Sequence, residues 1–102
     1  MVRVPTDREP THPGEVLRED LLNPMSLTQQ ELAEAIRVPF QRVNEIVRGR
    51  RSITPSTALR LARYFGTSAG FWMNLQLRYD LDNTEHSEKG ELERIEPVHR
   101  AR

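Results

Sequence analysis

Seven arginines fall within residues 37–63 (Arg37, Arg42, Arg48, Arg50, Arg51, Arg60, Arg63), with Glu45 the one acidic residue among them, so the stretch carries a net charge of +6. A guanidinium is a planar fork of donors that suits phosphate oxygens and guanine edges. Between the arginines lie residue types that can pair with base edges: Gln41 or Asn44 with adenine, Glu45 with cytosine N4, and Phe40 with a thymine methyl. The chemistry this points to is nucleic-acid binding. Fourteen of the fifteen basic residues are arginine, a bias that phosphate binding and the codon usage of a GC-rich genome explain equally well. Other chemistries lack their residues. There is no cysteine, hence no disulfide, thiolate or Cys-based zinc site. His12, His86 and His99 have no metal-ligand spacing, no glycine-rich phosphate loop is present, and Glu19-Asp20 are sequence neighbours rather than a converging acid pair. Neither an enzyme nor a cofactor is expected.

A chain of 102 residues, 36% hydrophobic and 6% aromatic, forms one small domain without room for a large enclosed pocket. The zero net charge hides two acidic flanks, net −4 over residues 1–36 and net −5 over residues 80–96, around the basic middle. No apolar run reaches membrane-spanning length and the first thirty residues hold no signal-peptide core, so a soluble intracellular protein is expected.

The elements that must position these residues read as short helices. Residues 1–11, with Pro5 and Pro10, form a flexible arm. A first helix opens at Pro13, stacks Leu17 and Leu21 at i, i+4, and ends before Pro24. Thr28-Gln29-Gln30-Glu31 is a capping box in front of Leu32, Ala33 and Ile36. A third helix begins at Pro39, buries Val43, Ile46 and Val47, and stops at Gly49, which leaves Arg37 and Val38 for the turn. Thr54-Pro55 announces a fourth helix carrying Ala58, Leu61, Ala62 and Phe65 up to Gly66. A fifth starts at Ser68 and runs through Phe71, Trp72, Leu75 and Tyr79 to a boundary near Asp82-Asn83. Beyond it a solvated acidic loop to Lys89 is expected, with Leu92, Ile95 and Val98 as a short docked segment.

Two short helices joined by a tight turn, the second edged with polar and basic side chains, make a helix-turn-helix. Residues Thr28 to Arg50 resemble the lambda-repressor-like (Xre) helix-turn-helix. More narrowly, His12-Pro13-Gly14-Glu15-Val16-Leu17-Arg18, Asn44-Glu45-Ile46-Val47-Arg48-Gly49-Arg50-Arg51-Ser52-Ile53-Thr54, the run Thr57 to Thr67, and Phe71-Trp72-Met73-Asn74-Leu75-Gln76 resemble the HigA antitoxins in the same order over residues 12–81. The resemblance implies an all-α, five-helix lambda-repressor-like domain over residues 12–82, with the arm (1–11) before it and an acidic tail (83–102) after it. It also implies a homodimer on double-stranded operator DNA that represses its own operon, and a HigB-type, RelE-like mRNA-cleaving toxin as partner. A solitary Xre-type regulator is the alternative within the same chemistry, and an interaction module without DNA binding the alternative outside it. One departure is Arg37, where the broader pattern has glycine. A left-handed arginine costs about 1 kcal/mol, so either the turn is shaped differently or Arg37 makes a compensating phosphate contact.

With Val43, Ile46 and Val47 inward, the third helix presents Phe40, Gln41, Arg42, Asn44 and Glu45 for base readout. Arg42 suits a guanine or a phosphate, and Phe40 suits a base or the core. Thr28, Gln29, Arg37, Arg48, Arg50, Arg51 and Ser52 are placed for the DNA backbone, Thr28 serving equally as a plain cap. Trp72 reads as core or as part of an intersubunit surface, and His12 as structural. The acidic first helix, with Glu15, Glu19 and Asp20, and the acidic tail are the expected contacts for a basic toxin.

Overall fold

The structure, a computed structural model, describes residues 10–99, and these are all-helical apart from turns and loops. The arm expected at residues 1–11 lies outside the described residues except for residues 10 and 11, as do the last three residues of the tail.

Helix α1 (Pro13–Val16) runs directly into a π-helical stretch, Leu17–Leu22. His12 caps α1, its Nδ1 accepting the Gly14 amide at 2.9 Å. The His12 ring packs edge-on to Tyr79, with centroids 4.8 Å apart. Burial lowers the His12 pKa against an opposing pull from Asp80, which favours the neutral ring that this cap requires. The wider turn shifts the inward pair: Asn23 N–H bonds to the Arg18 carbonyl, five residues back, at 2.9 Å. Leu17 and Leu22 are therefore buried and Leu21 only half so, whereas α-helical stacking had paired Leu17 with Leu21.

Helix α2 (Gln29–Ile36) starts at the full capping box: Thr28 Oγ1 accepts from Glu31 N at 3.0 Å and Glu31 Oε1 from Thr28 N at 2.9 Å. Helix α3 is Phe40–Val47, with Pro39 as the extended residue in front of it instead of its first residue. Val43 and Ile46 are buried, Val47 half-buried. Helix α4 (Pro55–Phe65) is capped by Thr54 and stopped at Gly66, whose φ of 77° suits a residue without Cβ.

Helix α5 is Ala69–Ser87, longer than the boundary near Asp82-Asn83. Residues 83–87 hold no proline or glycine, and His86 Nδ1 sits 2.8 Å from the Asp82 carbonyl and 3.7 Å from its carboxylate, an i, i+4 pairing that supports the extra turn. Residues 83–87 are thus helical where a solvated loop to Lys89 was expected, and Glu88 ends α5 before a one-turn helix α6 (Lys89–Leu92). The docked segment is not formed: Leu92, Ile95 and Val98 are 41%, 68% and 78% exposed. α5 and α6 carry this end away from the body, and the molecule measures 57 × 27 × 26 Å.

The core is a single cluster. Trp72 is its largest fully buried side chain, in one cluster with Leu17, Leu32, Val43, Ile46, Ile53, Ala58 and Leu61, and its Nε1 donates to Thr67 Oγ1 at 2.8 Å. Thirteen buried hydrophobic residues among the described ones make a small core, so each close contact matters. The closest is at Gly14, where α1 lies directly on α3. A Cβ there would collide with the Ile46 carbonyl and crowd the Val47 Cα, and backbone cannot swing aside as a side-chain tip can. No helix among the described residues is long and apolar enough to cross a membrane.

Gly14→Ala should therefore destabilise the fold by about 1–3 kcal/mol, read from the urea midpoint at unchanged slope. A substitution without effect would show that α1 is not held against α3 this closely.

Candidate nucleic-acid interface

Three local devices build one polar face. The capping box sets the start of α2 and puts Gln29 at its first position. The buried side of α3 turns Gln41, Asn44 and Glu45 outward as one patch. Gly49, at φ 76°, reverses the chain after α3, and the Arg50 amide returns to the Glu45 carbonyl at 2.8 Å, so the arginine-rich loop folds back beside the helix.

The side chains then meet. Asn44 Nδ2 donates to Gln29 Oε1 at 3.0 Å, joining α2 to α3. Glu45 accepts from Gln41 Nε2 at 3.1 Å and from Arg51 Nε at 2.8 Å. The Arg51 and Gln41 hydrogen bonds hold the Glu45 carboxyl below the usual carboxylate range. Phe40 is 44% exposed, which puts it at the surface and not in the core. Arg42 is half-buried, whereas Arg48, Arg50, Arg51 and Ser52 are exposed in a row after α3. Thr28 is exposed with its hydroxyl engaged in the cap.

Arg37 stands apart from this cluster, at the other end of α2 from Gln29. It is left-handed, φ 65° and ψ 47°, so the turn keeps the shape that glycine ordinarily serves. Within the protein the compensation comes from Arg60, whose Nη1 donates to the Ile36 carbonyl at 2.7 Å and reaches the Arg37 carbonyl at 3.4 Å, closing the C-terminus of α2 with a cation. The acidic candidates lie elsewhere again, with Glu15 in α1 and Glu19 and Asp20 in the π-helical stretch; Glu15 and Glu19 are exposed, Asp20 is half-buried, and Glu19 pairs with Arg18 at 3.2 Å.

Two residues matter to this face although sequence reasoning assigned them no role there. Arg60 counted only as part of the basic block. Gln76 is buried in α5, where its Oε1 accepts the Ile53 amide at 2.7 Å and its Nε2 donates to Asp80 at 2.9 Å, pinning the end of the arginine loop to the core. A glutamine on the apolar face of a helix is the signal that could have found it, since a buried amide needs partners.

The Helix-turn-helix family (HTH_3) matches residues 17–72. The chain belongs to this family. It is 53% identical to virulence-associated protein I of Dichelobacter nodosus over 76% of this chain and 72% of that one. It is 33% identical to antitoxin HigA-1 of Vibrio cholerae over 91% and 88% of the two chains. Pseudomonas aeruginosa antitoxin HigA, solved with the higBA promoter, superposes with a TM-score of 0.86 at 42% identity, covering 89% of this chain and all of that one. Within the helix-turn-helix family the chain is thus of the HigA type, with α2 and α3 as its two motif helices and the lambda-repressor-like fold around them.

Gln76→Ala would leave the Ile53 amide buried without its acceptor, at a cost of about 1–3 kcal/mol. Denaturant unfolding should show that loss, while Asp80→Ala, which removes only the exposed partner, changes little. Equal effects would mean that the Ile53 bond is not what holds the loop.

Proposed function

We propose that this protein is an antitoxin that binds operator DNA as a homodimer, represses its own operon in the bacterial cytoplasm, and neutralises a HigB-type, RelE-like mRNA-cleaving toxin. The observation that carries the DNA half is the clustering of Gln29, Gln41, Asn44 and Glu45 beside an exposed row of arginines on a helix-turn-helix, in a fold shared with a HigA solved with a promoter. In this reading Phe40, Gln41, Arg42 and Asn44 face the major groove. Thr28, Gln29, Arg48, Arg50, Arg51 and Ser52 take the phosphates on either side of it, and Arg37 serves as an outlying phosphate contact. The outer side of α5, where Leu77 and Leu81 are exposed one turn apart, and the segment beyond it supply the symmetric interface, because a lone domain makes too few base contacts for specific affinity.

Binding to a palindromic duplex, with half-sites recurring about 34 Å apart, should weaken steeply with salt. The slope of log K against log salt is expected near −0.9 for each phosphate neutralised, and a flat salt response would refute the arginine grip.

The toxin half rests on charge. Acidic residues sit in the first helix and in residues 80–96, apart from the basic middle, and a ribonuclease that handles mRNA is basic, so both partners can be held at once through Glu15, Glu19 and Asp20. Changing Glu19 and Asp20 together to Lys should slow toxin association at low salt and leave operator binding nearly unchanged. An unaltered association rate, or a toxin that competes with DNA for the face around Gln41, would overturn this placement. Complete lack of toxin binding by the unmodified chain would leave a solitary regulator.

A further inference from the structure

Glu45 is the only acidic side chain in the basic middle of the sequence, and it lies on the face that a duplex would approach. One of its oxygens, Oε1, takes both donors of the Arg51 fork, Nε at 2.8 Å and Nη2 at 2.7 Å. The other, Oε2, takes the Gln41 amide at 3.1 Å. One carboxylate therefore engages a proposed phosphate contact and a proposed base reader together. Three of the roughly four acceptor sites of the carboxylate are in use, two of them by a charge-assisted fork, so little acceptor capacity is left for a cytosine amino group. The pair is solvent-exposed, with the Arg51 and Glu45 side chains 47% and 29% accessible, and an exposed pair adds little to folding stability. Its position on the recognition face is then better explained by binding than by folding.

We propose that Glu45 is a positioning residue that sets specificity rather than a reader of bases. Its carboxylate occupies the Nε–Nη2 edge of Arg51 in the way a phosphate would and offsets its charge, weakening that guanidinium's grip on arbitrary DNA, and from the same anchor it orients the Gln41 amide toward the groove. The inference rests on the operator-binding reading above and replaces the base-reading role first expected for Glu45. Phosphate contacts carry no sequence information and raise affinity for every duplex alike. A protein that keeps one arginine from that use gives up general affinity, and holding Gln41 in one orientation favours the site that matches it.

The test uses the full chain with Glu45→Gln, which keeps the shape and removes the charge, measured on operator and on random-sequence duplex. Glu45→Gln should bind random DNA more tightly, by roughly threefold to tenfold at low salt, with a salt slope steeper by about 0.9 per subunit because Arg51 is freed for a phosphate. Operator affinity should stay level or fall, so the ratio of operator to random binding drops. In an Arg51→Ala background the gain on random DNA should vanish. Random-DNA affinity unchanged while operator binding falls would make Glu45 a base reader and overturn the proposal. A gain of the same size in the Arg51→Ala background would overturn it too, since the effect would then be that of removing a negative charge from the face. Failure of the unmodified chain to prefer its operator would sink the operator-binding reading itself, whereas the random-DNA comparison still decides whether Glu45 restrains Arg51.

Discussion

The missing side chain at Gly14 governs how close α1 can lie to α3, and the presentation of α3 depends on that distance. α3 is eight residues long, too short to be stable in isolation, and in the proposed reading one of its sides faces DNA. Its main hold comes from behind. Backbone-to-backbone contact at Gly14 and Ile46, with Val43 and Ile46 buried in the core cluster, supplies that hold, and Gln29 and Arg51 add hydrogen bonds to Asn44 and Glu45 on the outer face. His12 strengthens the arrangement, since it caps α1 while its ring rests on Tyr79 of α5.

Buried polar groups govern the exposed ones. The arginine loop is too rich in charge to bury itself, yet its position is defined because the Ile53 side chain is inside the core and the Ile53 amide is bonded to Gln76. At the other end of the motif, the guanidinium of Arg60 caps the carbonyls of Ile36 and Arg37, and a left-handed arginine persists in the turn. In both places a long side chain from α4 or α5 accepts from or donates to the backbone of the motif. α4 and α5 thus act on the recognition face at a distance, as a rigid support with directed hydrogen bonds.

The far end of the molecule follows a different logic. α5 outruns its apolar stripe, continues through a polar stretch, and leads into α6 and the exposed Leu92, Ile95 and Val98. Leu92 ends α6, Ile95 and Val98 follow it outside any helix, and exposed apolar residues of this kind are what the proposed symmetric partner would cover. Charge is partitioned along the sequence as well, basic over residues 37–63 and acidic over residues 1–36 and 80–96, as the proposed pair of ligands of opposite sign requires.

Most of the secondary structure was legible in the residues because its signals are local: the Thr28–Glu31 box, Thr54-Pro55, Ser68, Gly49 and Gly66 act through bonds to neighbours a few positions away. The family was legible as well, since its motif blocks keep their order and spacing. Three features were not legible. The π-helical register of Leu17–Leu22 is selected by which leucine fits the core, a choice made by packing. Continuation of α5 to Ser87 turns on weak i, i+4 pairings that composition cannot rank against a solvated loop. The roles of Glu45, Arg60 and Gln76 depend on partners 6, 24 and 23 residues away, and no periodicity reports such distances. The sequence by itself therefore determined the helices, the family and the sign of charge on each part, because these depend on residue type and near neighbours. Only the tertiary structure decided which polar side chains stand free for a ligand and which are already held by the protein, because that depends on what the fold brings within hydrogen-bonding reach.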